Sequence, residues 1–177
     1  IGTAVVTPLF ADNAAAKPAN PGAPSQLALT DPDSSTLVPA SSPRFGGDYM
    51  LDSQGDQQQV YVDDPGTAAQ TLSVLALSQA VDDTAFARGG HGTLFVTDGS
   101  NGTVDAVTGP FHAGDAFVAV TPCNANTAPA TCPTSPVNYL GSLNLRTGTV
   151  SALHVVGPAV QAQGMVYVGD HDPSDEG

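Results

Sequence analysis

Positive charge is almost missing from this chain. Its 177 residues hold four basic side chains, Lys17, Arg44, Arg88 and Arg146, against 17 acidic ones, for a formal net charge of −13. A phosphate backbone or an anionic lipid surface is held by several cations acting together. These four stand far apart in sequence, so nucleic acid and anionic membranes are excluded as partners, and cations or cationic partners suit the charge better. Tryptophan is absent, and charged residues make up only 12% of the chain. Solubility therefore also rests on Ser, Thr, Asn, Gln and Gly. No apolar run is long enough to span a bilayer. No basic stretch followed by an apolar one marks a signal peptide. The chain opens Ile1-Gly2-Thr3 without an initiator Met, and the expectation is a processed or partial product.

Cysteine is scarce as well. Cys123 and Cys132 are the only two, and the polar loop between them carries no other metal-ligand type. Two thiols make a poor zinc site, which wants four N or S ligands. The expectation is a disulfide closing a short loop, hence an oxidising compartment and a secreted protein.

What is abundant points to strands. There are 19 Gly and 15 Pro, which supply turns, while the residues that make good helix surfaces are few. Val and Thr favour strands. Residues 3–10 read as a strand and residues 12–26, rich in Ala, Pro and Asn, as a linker or surface loop. From Tyr49 onward short strands alternate with turns: Gln59 to Asp63, Thr71 to Leu77, Thr84 to Arg88, Thr93 to Asp98, Thr103 to Thr108, Ala116 to Val120, Tyr139 to Leu145, Thr149 to Val156 and Ala159 to Asp170. Asp98-Gly-Ser-Asn-Gly102 and Arg146-Thr-Gly148 are hairpin turns, because Asn and Gly tolerate positive φ. Laid over one another, the segments repeat about the anchors Val60, Leu94, Leu140 and Val166, spaced 34, 46 and 26 residues apart. A strand unit recurring every few tens of residues predicts an all-β, antiparallel propeller-like repeat. A β-sandwich is the alternative. The organisation expected is an N-terminal strand and linker over 1–48, repeats over 49–170 and an acidic tail over 171–177. The core candidates are Leu94, Val96, Val104, Val107, Phe117, Leu143, Leu145 and Val166.

Gly92-Thr-Leu-Phe-Val-Thr-Asp-Gly-Ser-Asn-Gly-Thr-Val104 resembles the blade consensus of NHL-type six-bladed propellers. Leu143-Asn-Leu-Arg-Thr-Gly-Thr-Val150 is similar to the Thr-Gly hairpin of YVTN-type and quinoprotein-type propellers. The part from about Asp83 onward also resembles uncharacterised secreted proteins of high-GC Gram-positive bacteria. The resemblance covers roughly residues 49–170 and implies a fold rather than one function. Only about three and a half repeats are visible, so the expectation is part of a six-bladed propeller whose open edges need self-association or the missing part of the same propeller.

Sites for chemistry are sparse. His91, His112, His154 and His171 are scattered, with no ligand spacing among them. Asp63, Asp83 and Asp98, at strand ends, are the candidate ligands for Ca²⁺, which wants several oxygens. No Asp-x-Asp-x-Asp-Gly loop, Gly-x-Ser-x-Gly elbow or phosphate-binding loop occurs. Asn101-Gly-Thr103 fits the glycosylation sequon, although backbone geometry alone explains Asn-Gly in a turn. The functional expectation is a secreted, non-catalytic β-repeat module for binding or extracellular assembly. The alternative is a fragment of a propeller hydrolase or lactonase with a carboxylate-bound divalent metal.

Overall fold

The computed structural model describes residues 2–124, 126 and 138–169. Among them every regular element is a strand. A five-stranded sheet holds, in spatial order, β1 (Lys17–Pro18), β5 (Thr71–Ala76), β4 (Gln58–Asp63), β3 (Tyr49–Ser53) and β2 (Pro32–Leu37). A four-stranded sheet holds β11 (Thr149–Ala152), β10 (Tyr139–Asn144), β9 (Ala116–Val120) and β6 (Val81–Phe86). A three-stranded sheet holds β12 (Ala162–Gly169), β7 (Gly92–Asp98) and β8 (Thr103–Val107). All pairings are antiparallel except β1 with β5 and its two residue pairs.

The sheets stack face to face, and the period-2 alternation of strands shows how. In β9, Ala116, Val118 and Val120 join Met50, Tyr61 and Leu75 in the core against the five-stranded sheet. Phe117 and Ala119, on the opposite face of the same strand, join Leu94, Val96, Val107 and Tyr167 in the core against the three-stranded sheet. The four-stranded sheet is thus covered on both faces, which is why Ala-Phe-Val-Ala-Val reads as an unbroken apolar run. In β4, Tyr61 faces inward and Val60 outward, where Val60 and Val74 meet Leu27, Leu29, Phe10, Ala14, Ala16 and Ala23. The Ala- and Pro-rich N-terminal segment lies against the sheet here. Leu27 is buried, and its amide donates to the Ala14 carbonyl at 2.8 Å. Residues 3–10 form no strand.

This stack corrects the propeller expectation. The sheets are unequal, with five, four and three strands, and they do not close into a ring. Nor do they follow the repeat read from sequence. Strand β6 does not pair with β7 but with β9, and the β7–β8 hairpin between them belongs to the next sheet. Gln163 and Gly164 lie inside β12, at an irregularity between Ala162 and Met165. The expectation of a missing blade or a self-assembling repeat therefore loses its basis. β12 has a partner in β7, and neither Thr3 to Thr7 nor Gln26 to Leu29 pairs with it.

Six of the eight core candidates are buried, but Val104 and Val166 are 66% and 55% exposed. The physical reason is position in the stack. The three-stranded sheet is covered on one face only, and Val166 sits beside Phe95 on the other, with Val104 beside Thr97.

A buried polar layer joins the five- and four-stranded sheets. Asp52 of β3 accepts hydrogen bonds from Gln59 Nε2 at 2.8 Å and Thr84 Oγ1 at 3.2 Å through Oδ1, and from Ser34 Oγ at 3.0 Å through Oδ2. Gln59 Nε2 also donates to Thr84 Oγ1, and its Oε1 accepts from the Tyr61 hydroxyl. Among the described residues no buried side-chain nitrogen or oxygen lacks a partner, as buried polar groups require.

Candidate functional site

A cleft of about 1140 Å³ lies beside the four-stranded sheet. Three pieces of chain frame it. The first is the β10–β11 hairpin with the residues after it, from Ser142 to Arg146 and Leu153 to Val156. The second is the β8–β9 connection, from Ala106 to Phe117. The third is Pro43-Arg44 together with Ala19, which reach over from the five-stranded side. Val107, Phe111, Phe117, Leu143, Leu153 and Val155 make its apolar surface. Phe111 is held edge-on against Phe117, with ring centroids 4.7 Å apart.

The electrostatics run against the rest of the protein. Two of the four basic side chains, Arg44 and Arg146, line the cleft together with His154. Asp115 is the single carboxylate among the lining residues. It is already engaged, accepting from the His112 amide at 2.8 Å and lying 3.6 Å from the His112 ring. Arg44 donates to the carbonyls of Leu145, Arg146 and Ala19 at 2.9, 3.0 and 2.6 Å. Its guanidinium stacks 4.5 Å over the Phe45 ring, and that ring stacks on Tyr61 at 3.7 Å. Phe45 holds φ at +60°, a left-handed conformation that costs a non-glycine residue about 1 kcal/mol and persists only where surroundings impose it. Among the described residues no carboxylate pairs with Arg44, so it brings positive charge to the cleft. Neither arginine stands out in the sequence as a site residue. The signal was the scarcity of cations itself, since two of only four converge.

The residues singled out by sequence do not converge. Asp63, Asp83 and Asp98 belong to three different sheets, and among the described residues no group of three His, Cys, Asp or Glu could hold a metal ion. Among the described residues, then, the metal-dependent hydrolase has no ligand cluster. Each carboxylate has a local explanation. Asp63 is exposed at the end of β4. Asp83 accepts from the Thr84 and Met165 amides, so it ties β6 to β12 where the β12 ladder breaks step. Asp98 closes the β7–β8 turn, accepting from Ser100 N and Oγ and from Asn101 N and Nδ2 at 2.9–3.1 Å. His91, His112 and His154 are exposed and apart, and His171 lies outside the described residues. Asn101 is exposed, with its amide turned to Asp98. Cys123 follows β9 and is not a free thiol. Its predicted partner Cys132 lies outside the described residues, as does the tail 171–177.

Burial works to raise the Asp98 pKa, but the hydrogen bonds from Ser100 and Asn101 outweigh it and hold the carboxyl at about 2. A lowered folded pKa stabilises above the unfolded value and is lost as pH falls through the folded one. The hairpin is therefore expected to lose this support between about pH 4 and pH 2. Denaturation followed across that range should show an acid-dependent component in the wild type that is missing in Asp98→Asn. An identical acid profile in both would refute the assignment.

No known protein family, curated protein or solved structure matches this chain.

Proposed function

We propose that the chain is a secreted ligand-binding domain that takes a small amphipathic anion into the cleft, its apolar body along Phe111, Phe117 and Leu153 and its charged group toward Arg44 and Arg146. The observation that carries this reading is the meeting of two arginines and one histidine over an apolar surface, in a protein of net charge −13. Concave recesses that set an apolar wall beside a few convergent polar groups are a usual form of small-molecule sites. Arg146 is exposed at the rim, so it can fold onto an arriving anion. Its guanidinium geometry suits a carboxylate, sulfonate or phosphate group. The secreted location rests on the expected disulfide of Cys123 with Cys132, which implies an oxidising compartment.

This reading replaces the assembly module, whose repeat is not present, and the metal hydrolase, whose ligands do not meet. Isothermal titration calorimetry with decanesulfonate and with decyltrimethylammonium, both below their micellar concentrations, tests it. Saturable one-to-one binding of the sulfonate and none of the ammonium is expected. Arg146→Gln removes about 1 kcal/mol of charge-assisted bonding, or roughly a fivefold loss of affinity. Equal binding of the two amphiphiles, or no effect of Arg146→Gln, would refute it.

A further inference from the structure

The polar layer under Asp52 is not needed to hold a ligand, yet it sits in the joint between two sheets. Its hydrogen bonds draw on four strands: Ser34 from β2, Asp52 from β3, Gln59 and Tyr61 from β4, and Thr84 from β6. The first three strands belong to the five-stranded sheet and β6 to the four-stranded one. Thr84 is thus the point where the second sheet is bonded to the network. Asp52 and Gln59 are both fully buried.

The groups facing Asp52 offer its charge no partner. Asp83 acts on it from β6 and raises its pKa. Asp33 of β2 and Asp82 of β6 meet nearby, their carboxyls joined by a hydrogen bond, and Asp83 faces that pair too. Tyr61, on β4, is the remaining titratable neighbour, with Asp48 and Arg44 lying beyond it. Arg44 is the cation that acts on Tyr61, and it lies on the far side of the Tyr61 ring. A proton on Oδ2 of a neutral Asp52 carboxyl would reverse the Ser34 bond, with Ser34 Oγ turning to accept, and would leave the Oδ1 bonds from Gln59 and Thr84 in place. An ionised one is a buried carboxylate facing other carboxylates.

From Tyr61 the contacts continue toward the cleft. The Phe45 ring stacks on Tyr61 at 3.7 Å, Arg44 stacks on Phe45, and Arg44 bonds to the Leu145 and Arg146 carbonyls of the cleft-lining hairpin.

We propose that Asp52 is a proton switch in the joint between the five- and four-stranded sheets: the neutral carboxyl keeps the joint tight, ionisation loosens it, and Tyr61, Phe45 and Arg44 carry the change to the cleft. The last part rests on the ligand-binding reading of the cleft, and the first part does not. Burial, the largest influence, raises Asp52 from 3.8 to about 7, against the opposing hydrogen bonds from Gln59, Thr84 and Ser34. The switch therefore works in the mildly acidic to neutral range. Since the folded pKa lies above the unfolded one, the stability it contributes is full below about pH 4 and is lost as pH rises through about 7. A ligand that favours the tight joint raises the proton affinity of Asp52, and the proton raises the ligand's affinity by the same factor.

The test compares wild type with Asp52→Asn, a same-shape substitution that cannot ionise. The wild-type thermal midpoint is expected to fall by roughly 5–10 °C between pH 5 and pH 8. Asp52→Asn is expected to lose most of that slope, leaving the part due to Asp48 and Asp82. Hydrogen exchange should quicken at pH 8, after correction for the intrinsic rate, in β2 and β6 but not in β8. Equal slopes in the two proteins would overturn the switch. Should the variant fail to fold, a carbon-13 titration of the Asp52 carboxyl in the wild type decides, and an ordinary aspartate pKa overturns the proposal. Decanesulfonate, whose charge does not titrate, reads the coupling to the cleft. Its affinity is expected to be about threefold or more weaker at pH 8 than at pH 5 in the wild type, with a smaller ratio in Asp52→Asn. The same ratio in both proteins overturns the coupling. Absence of binding with the stability slope intact overturns the cleft reading and leaves the joint standing.

Discussion

Replacing Gly148 by Ala is expected to cost about 3 kcal/mol of folding stability, against about 1 kcal/mol for the same change at Gly102. The two glycines look alike in sequence, since each ends a hairpin turn, and alike in backbone, with φ of +75° and +65°. Their surroundings differ. A Cβ on Gly102 meets nothing within 4 Å, so only the left-handed backbone is penalised. A Cβ on Gly148 would lie 1.8 Å from the Ala76 carbonyl oxygen and 2.8 Å from Asn20 Nδ2. That oxygen cannot move freely. It accepts from Asn20 Nδ2 at 2.8 Å, and the same amide reaches across to the Thr147 carbonyl at 2.7 Å. Asn20 Oδ1 in turn accepts from the Ala76 amide, and Ser78 N donates to the Gly148 carbonyl. The β10–β11 hairpin is thus clamped to the end of β5, and a methyl group there pries the two sheets apart. Chemical denaturation of both variants measures the difference. Equal costs would mean that the clamp yields without penalty.

The comparison also shows where the sequence stops being informative. Turn residues report on the backbone of their own few residues, so the turns at Asp98–Gly102 and Arg146–Gly148 were readable. So was the strand content, since Gly, Pro and β-branched residues act locally. Strand partners are a different matter. Alternation tells which residues share a face and leaves open which strand lies beside which. Ala85-Phe-Ala-Arg88 and Leu94-Phe-Val96 follow each other like blade strands, yet β6 pairs with β9. The step from three sheets to a ring was therefore an extrapolation from spacing. The cleft was out of reach for a related reason. Arg44 and Arg146 are 102 residues apart in sequence, and only the hydrogen bond from one side chain to the other's carbonyl brings them together. The buried polar layer was hidden by chemistry. Asp52, Gln59 and Thr84 stand at positions that a hydrophobic pattern reads as solvent-facing. Three polar residues are buried together only when each satisfies the others, a condition that no single position displays.

That mutual dependence sets the second large effect. Gln59→Leu puts in a side chain no smaller than the one it replaces, so it opens no cavity, but it removes a side chain that bonds to three others. The Tyr61 hydroxyl loses its acceptor, Asp52 Oδ1 loses a donor at 2.8 Å, and Thr84 Oγ1 loses a donor at 2.8 Å. Each buried polar group left unpaired costs about 1–3 kcal/mol, so the substitution is expected to destabilise by about 3–4 kcal/mol. Two features separate this account from simple loss of packing. Tyr61→Phe alone strands Gln59 Oε1, and is expected to cost about 1–2 kcal/mol. In the Gln59→Leu background it should cost much less, because the hydroxyl there has already lost its acceptor. The penalty of Gln59→Leu should also be larger at pH 8 than at pH 5. Asp52 loses one of the hydrogen bonds that lower its pKa, so its carboxylate becomes harder to keep buried once ionised. Urea denaturation of the two single variants and the double variant, at both pH values, completes the cycle. Additive costs for Gln59→Leu and Tyr61→Phe, equal at pH 5 and pH 8, would show that the side chains act separately and that the layer is held by packing alone.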